Sequence, residues 1–488
     1  MATIPLVGPS YTSRSIAAEC QRTVNWYIEA IESGAGPAPA VLYPTPGLRH
    51  LGVAPAGGRW RGLWRATNNQ VYGVVGDQFY ELTSLSLASP VVDAVALQRR
   101  GAVVDDGRPV VMADNGVHGG RVCIASGGRL SIYTQGNADH QFPAMAIAPV
   151  TAVTFIDGYF IAISPTTVQL SENGVTWDPT DISGRGEGAD PFVTGIQNHR
   201  ELWLLGEVTS EVWYDSGNAD FPFQPIPGVF IEVGICAASS LVRLDQTVAW
   251  LAQTREGDRL AVIAEQYQPK RVSTHAMEVT WRKYPRVDDA VSYSYQEDGH
   301  TYWVLTFPTA GATWVYDAAT QLWHERGHWN RAQGVYEAHR ANCHAWAWGR
   351  HLVGDRASAN LYALDSLTFS DQLAEGDTPI RRVRRLPHLA SEQRQVRHSH
   401  LEIDLEMGLG LAVGQGKDPR AMLRWSDDRG HTWTSEWWVD ASIMGTYAAR
   451  AEWSRLGVTR DRVYEVATSD PIPWRLMAAY LTADGGRG

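Results

Sequence analysis

The stretch DGYFIAIS at residues 157–164 sets a polar turn directly before a short apolar run, and this layout occurs seven times, with starts separated by 51, 38, 42, 46, 54 and 43 residues. An apolar run bounded by turn-forming residues is typical of a buried strand, and a four-stranded propeller blade needs about 40–50 residues. The repeat therefore predicts an all-β fold built on a β-propeller of six or seven blades. The other stretches are NNQVYGVV (68–75), GGRVCIAS (119–126), HRELWLLG (199–206), DQTVAWLA (245–252), GHTYWVLT (299–306) and NCHAWAWG (342–349).

The segments on either side of the repeat divide the chain further. Residues 1–57 hold proline-rich turns and are expected to form an N-terminal arm, with the propeller over 58–370. Residues 371–392 are polar and charged, which predicts a basic linker. Strand-like alternation returns over 393–488, and a segment of that length suits a small C-terminal domain like a β-sandwich.

The composition limits the classes of function that the sequence allows. The formal net charge is −11 over 488 residues, whereas proteins that grip DNA by counterion release usually carry a basic excess. An acidic surface could instead let DNA slide past, since like charges repel phosphates within a Debye length of about 8–10 Å. Four cysteines about a hundred residues apart predict neither a zinc site nor a disulfide scaffold. The first twenty residues lack the features of a signal peptide, and we expect no membrane insertion.

One motif suggests an enzyme at first sight. The stretch SDDRGHTW at 426–433 has the spelling of an Asp-box, a turn found in sialidases and other β-rich proteins, and a shorter relative, SENGVTWDP, occurs at 171–179. Each conserved residue type has a local folding role, so we expect a structural turn. A sialidase-like propeller glycoside hydrolase and a monomeric carbohydrate-binding propeller remain alternatives. The predicted turn residues are Ser426, Asp428, Gly430, Thr432 and Trp433.

No catalytic, cofactor or metal site is predicted elsewhere. His324 and His328 lie four residues apart, but the segment has a strand-like pattern and offers no evident third ligand. A phosphate-binding loop of the GxxxxGK[ST] type is absent from the sequence.

A cluster of arginines is the candidate interface. Guanidinium groups pair well with carboxylates of an acidic partner. The alternative is that these arginines only form the solvated face of a linker. The candidate residues for contact with another subunit or an adaptor are Arg381, Arg382, Arg384, Arg385, Arg394 and Arg397.

Motifs at both ends of the chain carry a family resemblance. Near the start, TVNWYIEA is followed by VLYPTPGLRHLG, and near the end come IRRVRRLPH, RHSHLEIDLEMGLG and RLGVTRDRVYEVATSDPIPWRLMAAYL. In this order they resemble the tail hub or nozzle proteins of short-tailed bacteriophages, also called packaged-DNA stabilization proteins. The propeller-like middle cannot be aligned by eye, which leaves the blade number and the loop roles open.

The resemblance implies a structural protein of the virion tail, not an enzyme. Such proteins form a homohexameric tube below the portal and adaptor rings, and they are assembled in the bacterial host cytoplasm. The tube continues the channel for double-stranded DNA without reading its sequence, helps to retain the packaged genome, and docks tail fibres, spikes or a needle. The resemblance implies no cofactor.

Overall fold

The structure is a computed structural model that describes residues 2–33, 38–85, 93–116, 120–137, 142–186, 188 and 190–485. Part of the proline-rich stretch of the expected arm and the first residue of the stretch at 119–126 therefore lie outside the described residues. Within the described part, 44 strands and one α-helix, α1 (His275–Arg282), are present.

Seven sheets of the described chain follow one another as blades, which confirms the predicted propeller and puts the blade number at seven. Blade 2 has three strands in the described residues; blade 7 takes its fourth from the N-terminal segment. Blade 1 has β7 (Trp60–Arg65), β8 (Val71–Val75), β9 (Gln78–Ser84) and β10 (Val95–Ala102). Blade 2 has β11 (Val111–Asp114), β12 (Arg121–Ser126) and β13 (Arg129–Thr134). Blade 3 has β14 (Ala152–Ile156), β15 (Tyr159–Ile163), β16 (Thr167–Ser171) and β17 (Ile182–Gly184).

Blades 4 to 7 continue in the same way, and α1 joins blade 5 to blade 6. Blade 4 has β18 (Phe192–Asn198), β19 (Glu201–Gly206), β20 (Ser210–Asp215) and β21 (Phe223–Ile231), and blade 5 has β22 (Gly234–Ile235), β23 (Val242–Leu244), β24 (Thr247–Gln253), β25 (Arg259–Glu265) and β26 (Gln268–Arg271). Blade 6 has β27 (Val291–Glu297), β28 (His300–Phe307), β29 (Ala312–Asp317) and β30 (Leu322–Asn330), with β31 (Val335–Ala338) beside β30. Blade 7 has β32 (Ala341–Ala347), β33 (Arg350–Asp355) and β34 (Asn360–Asp365).

The sequence repeat marks the second strand of a blade in six of its seven copies. These strands are covered on both faces; all five residues of β8, for example, are buried. Burial on both faces gives a continuous apolar run instead of alternation. The last copy, NCHAWAWG, falls on β32, the first strand of blade 7, and its final residues Trp348 and Gly349 form the turn into β33.

The ring is closed by the N-terminal segment. At six of the seven blade boundaries the first strands of successive blades contact one another, including β32 of blade 7 against β7 of blade 1, and between blades 4 and 5 strand β22 contacts β19. A separate apolar cluster fills each of the seven blade-to-blade contacts. Strand β6 (Gly47–Val53) pairs with β34 as the outer strand of blade 7. The first and last parts of the propeller segment therefore meet in one blade, which holds the first and last blades together.

The C-terminal domain is a β-sandwich, as predicted, but it also takes strands from the N-terminus. One sheet has the order β4-β5-β44-β39-β42, with β1 beside β44, and the other contains β3, β37, β43, β40 and β41. Four tryptophans lie in the apolar core between them. The strands are β1 (Ala2–Ile4), β2 (Tyr11–Thr12), β3 (Cys20–Val24), β4 (Trp26–Ala30), β5 (Ala40–Pro44), β37 (Arg382–Arg385), β38 (Leu389–Ala390), β39 (Val396–Leu405), β40 (Arg420–Ser426), β41 (Trp437–Asp440), β42 (Ala451–Thr459), β43 (Asp461–Thr468) and β44 (Leu476–Gly485).

Two expected segments differ from the structure. Residues 1–57, expected as an arm, supply strands to both the sandwich and the propeller. Residues 371–392, expected as a linker, form most of the hairpin of β35 (Ser370–Leu373) and β36 (Gly376–Pro379), then β37 and β38. The polar side chains of this segment are compatible with strands because they find hydrogen-bond partners inside the molecule.

Candidate functional site: the joint between propeller and sandwich

One hydrogen-bonded sheet runs from the propeller into the sandwich. Strand β30 of blade 6 pairs with β3, β3 pairs with β37, and the order continues through β43 and β40 to β41. Val24 of β3 lies opposite both Glu325 of β30 and Val383 of β37. Because backbone hydrogen bonds cross the boundary, the two domains are joined by a ladder instead of a flexible connection.

The N-terminal strand β3 is fixed to blade 6 by an ion pair and an amide. The Arg22 guanidinium donates to both carboxylate oxygens of Glu325, with Nη2 2.6 Å from Oε2 and Nε 3.0 Å from each. Asn25 is 2% exposed. Its Nδ2 donates to the carbonyl oxygens of Gly327 at 2.9 Å and Arg381 at 2.8 Å, while its Oδ1 accepts from the Gly327 amide at 3.0 Å. One buried side chain therefore bonds to both domains.

A buried carboxylate stands on the sandwich side of the joint. Glu465 is 1% exposed, and it accepts from Arg385 Nε at 2.8 Å and from Arg424 Nε at 2.7 Å. Burial acts to raise the pKa of Glu465, but Arg385 and Arg424 outweigh it and lower the pKa overall. The ring of Trp433 lies 4.5 Å from the Arg385 guanidinium carbon and 5.1 Å from that of Arg424. Trp433 thus covers the charged cluster on one side.

Trp433 is the last residue of the Asp-box, so the Asp-box turn and the arginine-rich segment meet at this charged cluster. Asp428 Oδ1 accepts from the hydroxyl of Ser426 at 2.7 Å and from the amide of Thr432 at 2.8 Å, and Oδ2 accepts from the Thr432 hydroxyl at 2.6 Å. Hydrogen bonds from Thr432, and then from Ser426, hold the pKa of Asp428 well below its usual range. The Gly430 amide donates to Ser426 Oγ at 2.7 Å, with the glycine at φ 93°. The oxygens of Asp428 are thus engaged in forming the turn.

The shorter copy of the motif builds the same kind of turn in blade 3. Asn173 Oδ1 accepts from the amides of Val175 at 2.7 Å and Thr176 at 2.8 Å, and the Gly174 amide donates to Ser171 Oγ at 2.8 Å. Trp177 is 6% exposed and belongs to the apolar cluster between blades 2 and 3. Asparagine at 173 can therefore take the part that Asp428 plays in the longer copy.

The structure corrects the expectation that all six arginines are available to a partner. Arg382 and Arg384 are fully buried. Arg384 donates to the Pro9 carbonyl at 3.2 Å and to Thr23 Oγ1 at 3.0 Å, and also to the Leu6 carbonyl. Burial lowers the pKa of Arg382 to about 10 and that of Arg384 to about 9. Arg384 thus holds the N-terminal segment in place, whereas Arg382 donates to the carbonyls of Ile380 at 3.2 Å and Phe369 at 3.4 Å. Because both are buried, neither can reach another subunit.

The other four differ in exposure. Arg385 is engaged with Glu465, and Arg381 pairs with Glu436 while its guanidinium carbon lies 4.9 Å from the Trp329 ring of blade 6. Arg394 is 64% exposed and Arg397 is also exposed. Arg381 and Arg385 therefore belong to the joint, and of the six arginines only Arg394 and Arg397 are placed to meet a partner.

The propeller also has a central cavity of about 1000 Å³. Its lining mixes both signs of charge, as Arg61 pairs with Asp106 at 2.6 Å and Arg286 with Asp288 at 2.8 Å. Further lining side chains include Arg108, Glu207 and Asp289. The cavity is therefore polar and not dominated by one sign.

Three side chains that no sequence motif marks lie close together on the outer face of the sandwich. Ligand-type atoms of His400, Glu402 and Glu452 lie within 4.8 Å of one another, and this is the only such trio among the described residues. His400 Nε2 is 3.1 Å from Glu452, and Arg450 is 3.4 Å from Glu402. Each glutamate thus already has a partner within the protein. Across the described part of the chain, no helix combines the length and the apolar character needed to cross a bilayer.

Comparison with known families agrees with both domains. Residues 3–369 match the model described as Bacteriophage P22 Gp10, beta-propeller, and residues 381–484 match Bacteriophage P22 Gp10, beta-sandwich. The chain belongs to the bacteriophage P22 Gp10 family. The resemblance inferred from the end motifs is thereby confirmed, and the family makes this chain a structural protein of a phage tail.

Solved structures resemble the chain only at low similarity. The WD40 β-propeller domain of Doa1 has 9% identity and a TM-score of 0.40, with 66% of this chain and 96% of that chain covered. Virginiamycin B lyase from Staphylococcus aureus has 9% identity and a TM-score of 0.39, with 65% and 98% covered. The extracellular domain of a putative one component system from B. thetaiotaomicron has 8% identity and a TM-score of 0.41, with 87% and 58% covered. A search of curated protein sequences finds no match.

Proposed function

We propose that this P22 Gp10 relative forms the nozzle of a phage tail, a homohexameric conduit that continues the DNA channel below the portal and adaptor rings. It would help to retain the packaged DNA, dock fibres, spikes or a needle, and be assembled in the host cytoplasm. It would break no bond. The observation that carries this proposal is the match of both domains, over nearly the whole chain, to one family of phage structural proteins.

The joint supports a role that needs stiffness. A conduit that holds DNA under pressure must keep its wall in shape, and here the wall element would be a propeller and a sandwich joined by a continuous ladder. Flexible interdomain linkers are the usual source of relative domain motion. Strands shared between the domains replace such a linker in this chain.

The dimensions of the propeller favour a conduit made by several chains. Water centres can occupy about 1000 Å³ of the cavity, and a cylinder of that volume that is about 20 Å long, the length of a six-residue strand, is about 8 Å across. Adding the diameter of one water gives about 11 Å from wall to wall. The major groove of B-DNA alone is about 12 Å wide. Double-stranded DNA therefore does not fit through one propeller, and its passage would run between subunits.

The acidic net charge suits a wall that does not hold DNA. A chain with a net charge of −11 repels phosphates at short range. The proposal is that the lumen carries an excess of carboxylates, so that DNA passes without sequence readout. A lumen lined mainly with arginines would contradict this part.

Arg394 and Arg397 are proposed as contacts to a neighbouring subunit or to the adaptor. The double charge reversal Arg394→Glu and Arg397→Glu is expected to weaken assembly and to leave the monomer folded, because both side chains are exposed. Arg200→Glu is the matched control, since Arg200 is 79% exposed and lies on blade 4. Unchanged assembly of the double variant by mass photometry would remove these residues from the interface.

Particle mass and negative-stain electron microscopy of the purified full chain test the main proposal. A hollow ring of about six copies, formed alone or on its adaptor, is the expected result. A monomer that stays single in the presence of the adaptor and portal would count against it. A hydrolysis screen and a glycan array on the same preparation address the two alternatives, and reproducible cleavage of a sialoside would overturn the non-enzymatic role.

A further inference from the structure

The contact between blades 6 and 7 contains a buried positive charge without an acceptor. Arg326 of β30 is 2% exposed, and none of its three guanidinium nitrogens makes a hydrogen bond to a described residue. Arg384, which is equally buried, donates to four oxygens of the N-terminal segment. A guanidinium has five N–H donors, and burying them unpaired is strongly unfavourable. The Tyr295 hydroxyl is close enough to stabilise the charge of Arg326, but one oxygen can serve only part of the five donors, so Arg326 calls for a further acceptor.

Neighbouring rings offset only part of this cost. The guanidinium carbon of Arg326 lies 5.3 Å from the centre of the Tyr295 ring and 5.1 Å from that of Tyr302. Such cation–π contacts act through the faces of the rings and leave the N–H groups unbonded. Glu297, on the same strand as Tyr295, is near enough for Arg326 to influence its titration, but no hydrogen bond joins the two.

Further donors surround the guanidinium. The hydroxyls of Tyr293 and Tyr295 and Nε2 of His324 are also buried without a hydrogen-bond partner among the described residues. The strand registers place Tyr293 and His324 on one row across blade 6, and Tyr295 and Arg326 on the rows beside it. All four side chains thus lie on one face of blade 6. The hydroxyl and imidazole groups can donate or accept, whereas the guanidinium can only donate. A ligand placed against Arg326 must therefore accept hydrogen bonds.

We propose that Arg326, together with the hydroxyls of Tyr293 and Tyr295, forms an internal binding site for a small monovalent anion of the chloride type between blades 6 and 7. One negative charge matches the single guanidinium, whereas a divalent oxyanion would bring a second, uncompensated charge into the interior. The apolar cluster at this contact includes Leu48 of β6. The bound anion would therefore strengthen the part of the ring where the N-terminal strand closes it.

Bromide substitution in crystals of the full chain tests the site directly. With bromide in place of chloride, we expect an anomalous peak within about 4 Å of the Arg326 guanidinium, the range of a direct ion pair. The peak should be missing in Arg326→Met. Wild-type crystals that show only water, or no density, beside Arg326 would overturn the proposal.

A solution measurement provides an independent readout. Above its dissociation constant, one bound chloride should raise the folding equilibrium constant about tenfold for each tenfold increase in chloride, relative to acetate at equal ionic strength. Tyr293→Phe, which keeps the guanidinium and removes one hydroxyl, should shift this dependence to higher chloride. If Arg326→Met fails to fold, the wild-type bromide map and Tyr293→Phe still decide. Equal stability in chloride and acetate would argue against the site.

Discussion

Replacing Glu465 with glutamine should loosen the joint more than any exposed charge substitution. The carboxylate is 1% exposed and bonds to two guanidinium groups. Removing one partner of a buried ion pair typically costs about 3–5 kcal/mol. The side chains of Arg385 and Arg424 are 18% and 32% exposed, so solvent recovers part of that loss. We expect Glu465→Gln to lower the free energy of unfolding by about 2–4 kcal/mol.

The effect should be local to the joint. Hydrogen exchange followed by mass spectrometry should show faster exchange in β37 and β43, with blades 1 to 3 unchanged. Glu402→Gln is the matched control, because its partner Arg450 is 66% exposed and such a pair contributes below about 1 kcal/mol. Equal protection of β37 and β43 in the Glu465→Gln variant and the wild type would refute the view that this ion cluster holds the joint.

Three further results are expected. Burial lowers the pKa of His339 and His351 to about 4 and of His344 to about 3. Below about pH 6.5 the unfolded chain therefore binds protons at these histidines that the folded chain does not bind. Thermal stability should be intact above about pH 6.5 and fall as the pH drops towards 4. Leu48→Ala removes a fully buried side chain from the blade 6–7 contact and should cost about 2–5 kcal/mol in denaturant unfolding. Asp428→Ala should speed amide exchange over residues 427–433 and leave the propeller unchanged; unaltered exchange there would show that the side chain of Asp428 does not form the turn.

The propeller could be read from the sequence because its signal is local. A turn followed by a doubly buried strand appears as a polar pair and an apolar run, as at 157–164. The misplaced copy at 342–349 shows the limit of this reading. Strands β32 and β33 of blade 7 are adjacent and both contain apolar residues, and only the pairing distinguishes the first strand from the second.

The joint could not be predicted in the same way because the residues that contact one another there are far apart in the sequence. Arg384 looks like a surface residue by type, but its acceptors lie more than 360 positions away in residues 6–23. Asn25 bonds to blade 6 some 300 residues later. Spacing in the sequence gives no sign of such partners, so the basic segment was expected on the surface. The family motif around Asn25 did mark the region, although it did not explain why the residue is needed.

Cryo-electron microscopy of this chain assembled on its portal and adaptor tests the central claim most directly. We predict a ring of about six copies in which each propeller and its sandwich keep one fixed relation, with DNA density in a lumen between the copies. Copies in which the sandwich takes different orientations relative to the propeller, or DNA density along the axis of a single propeller, would contradict the account.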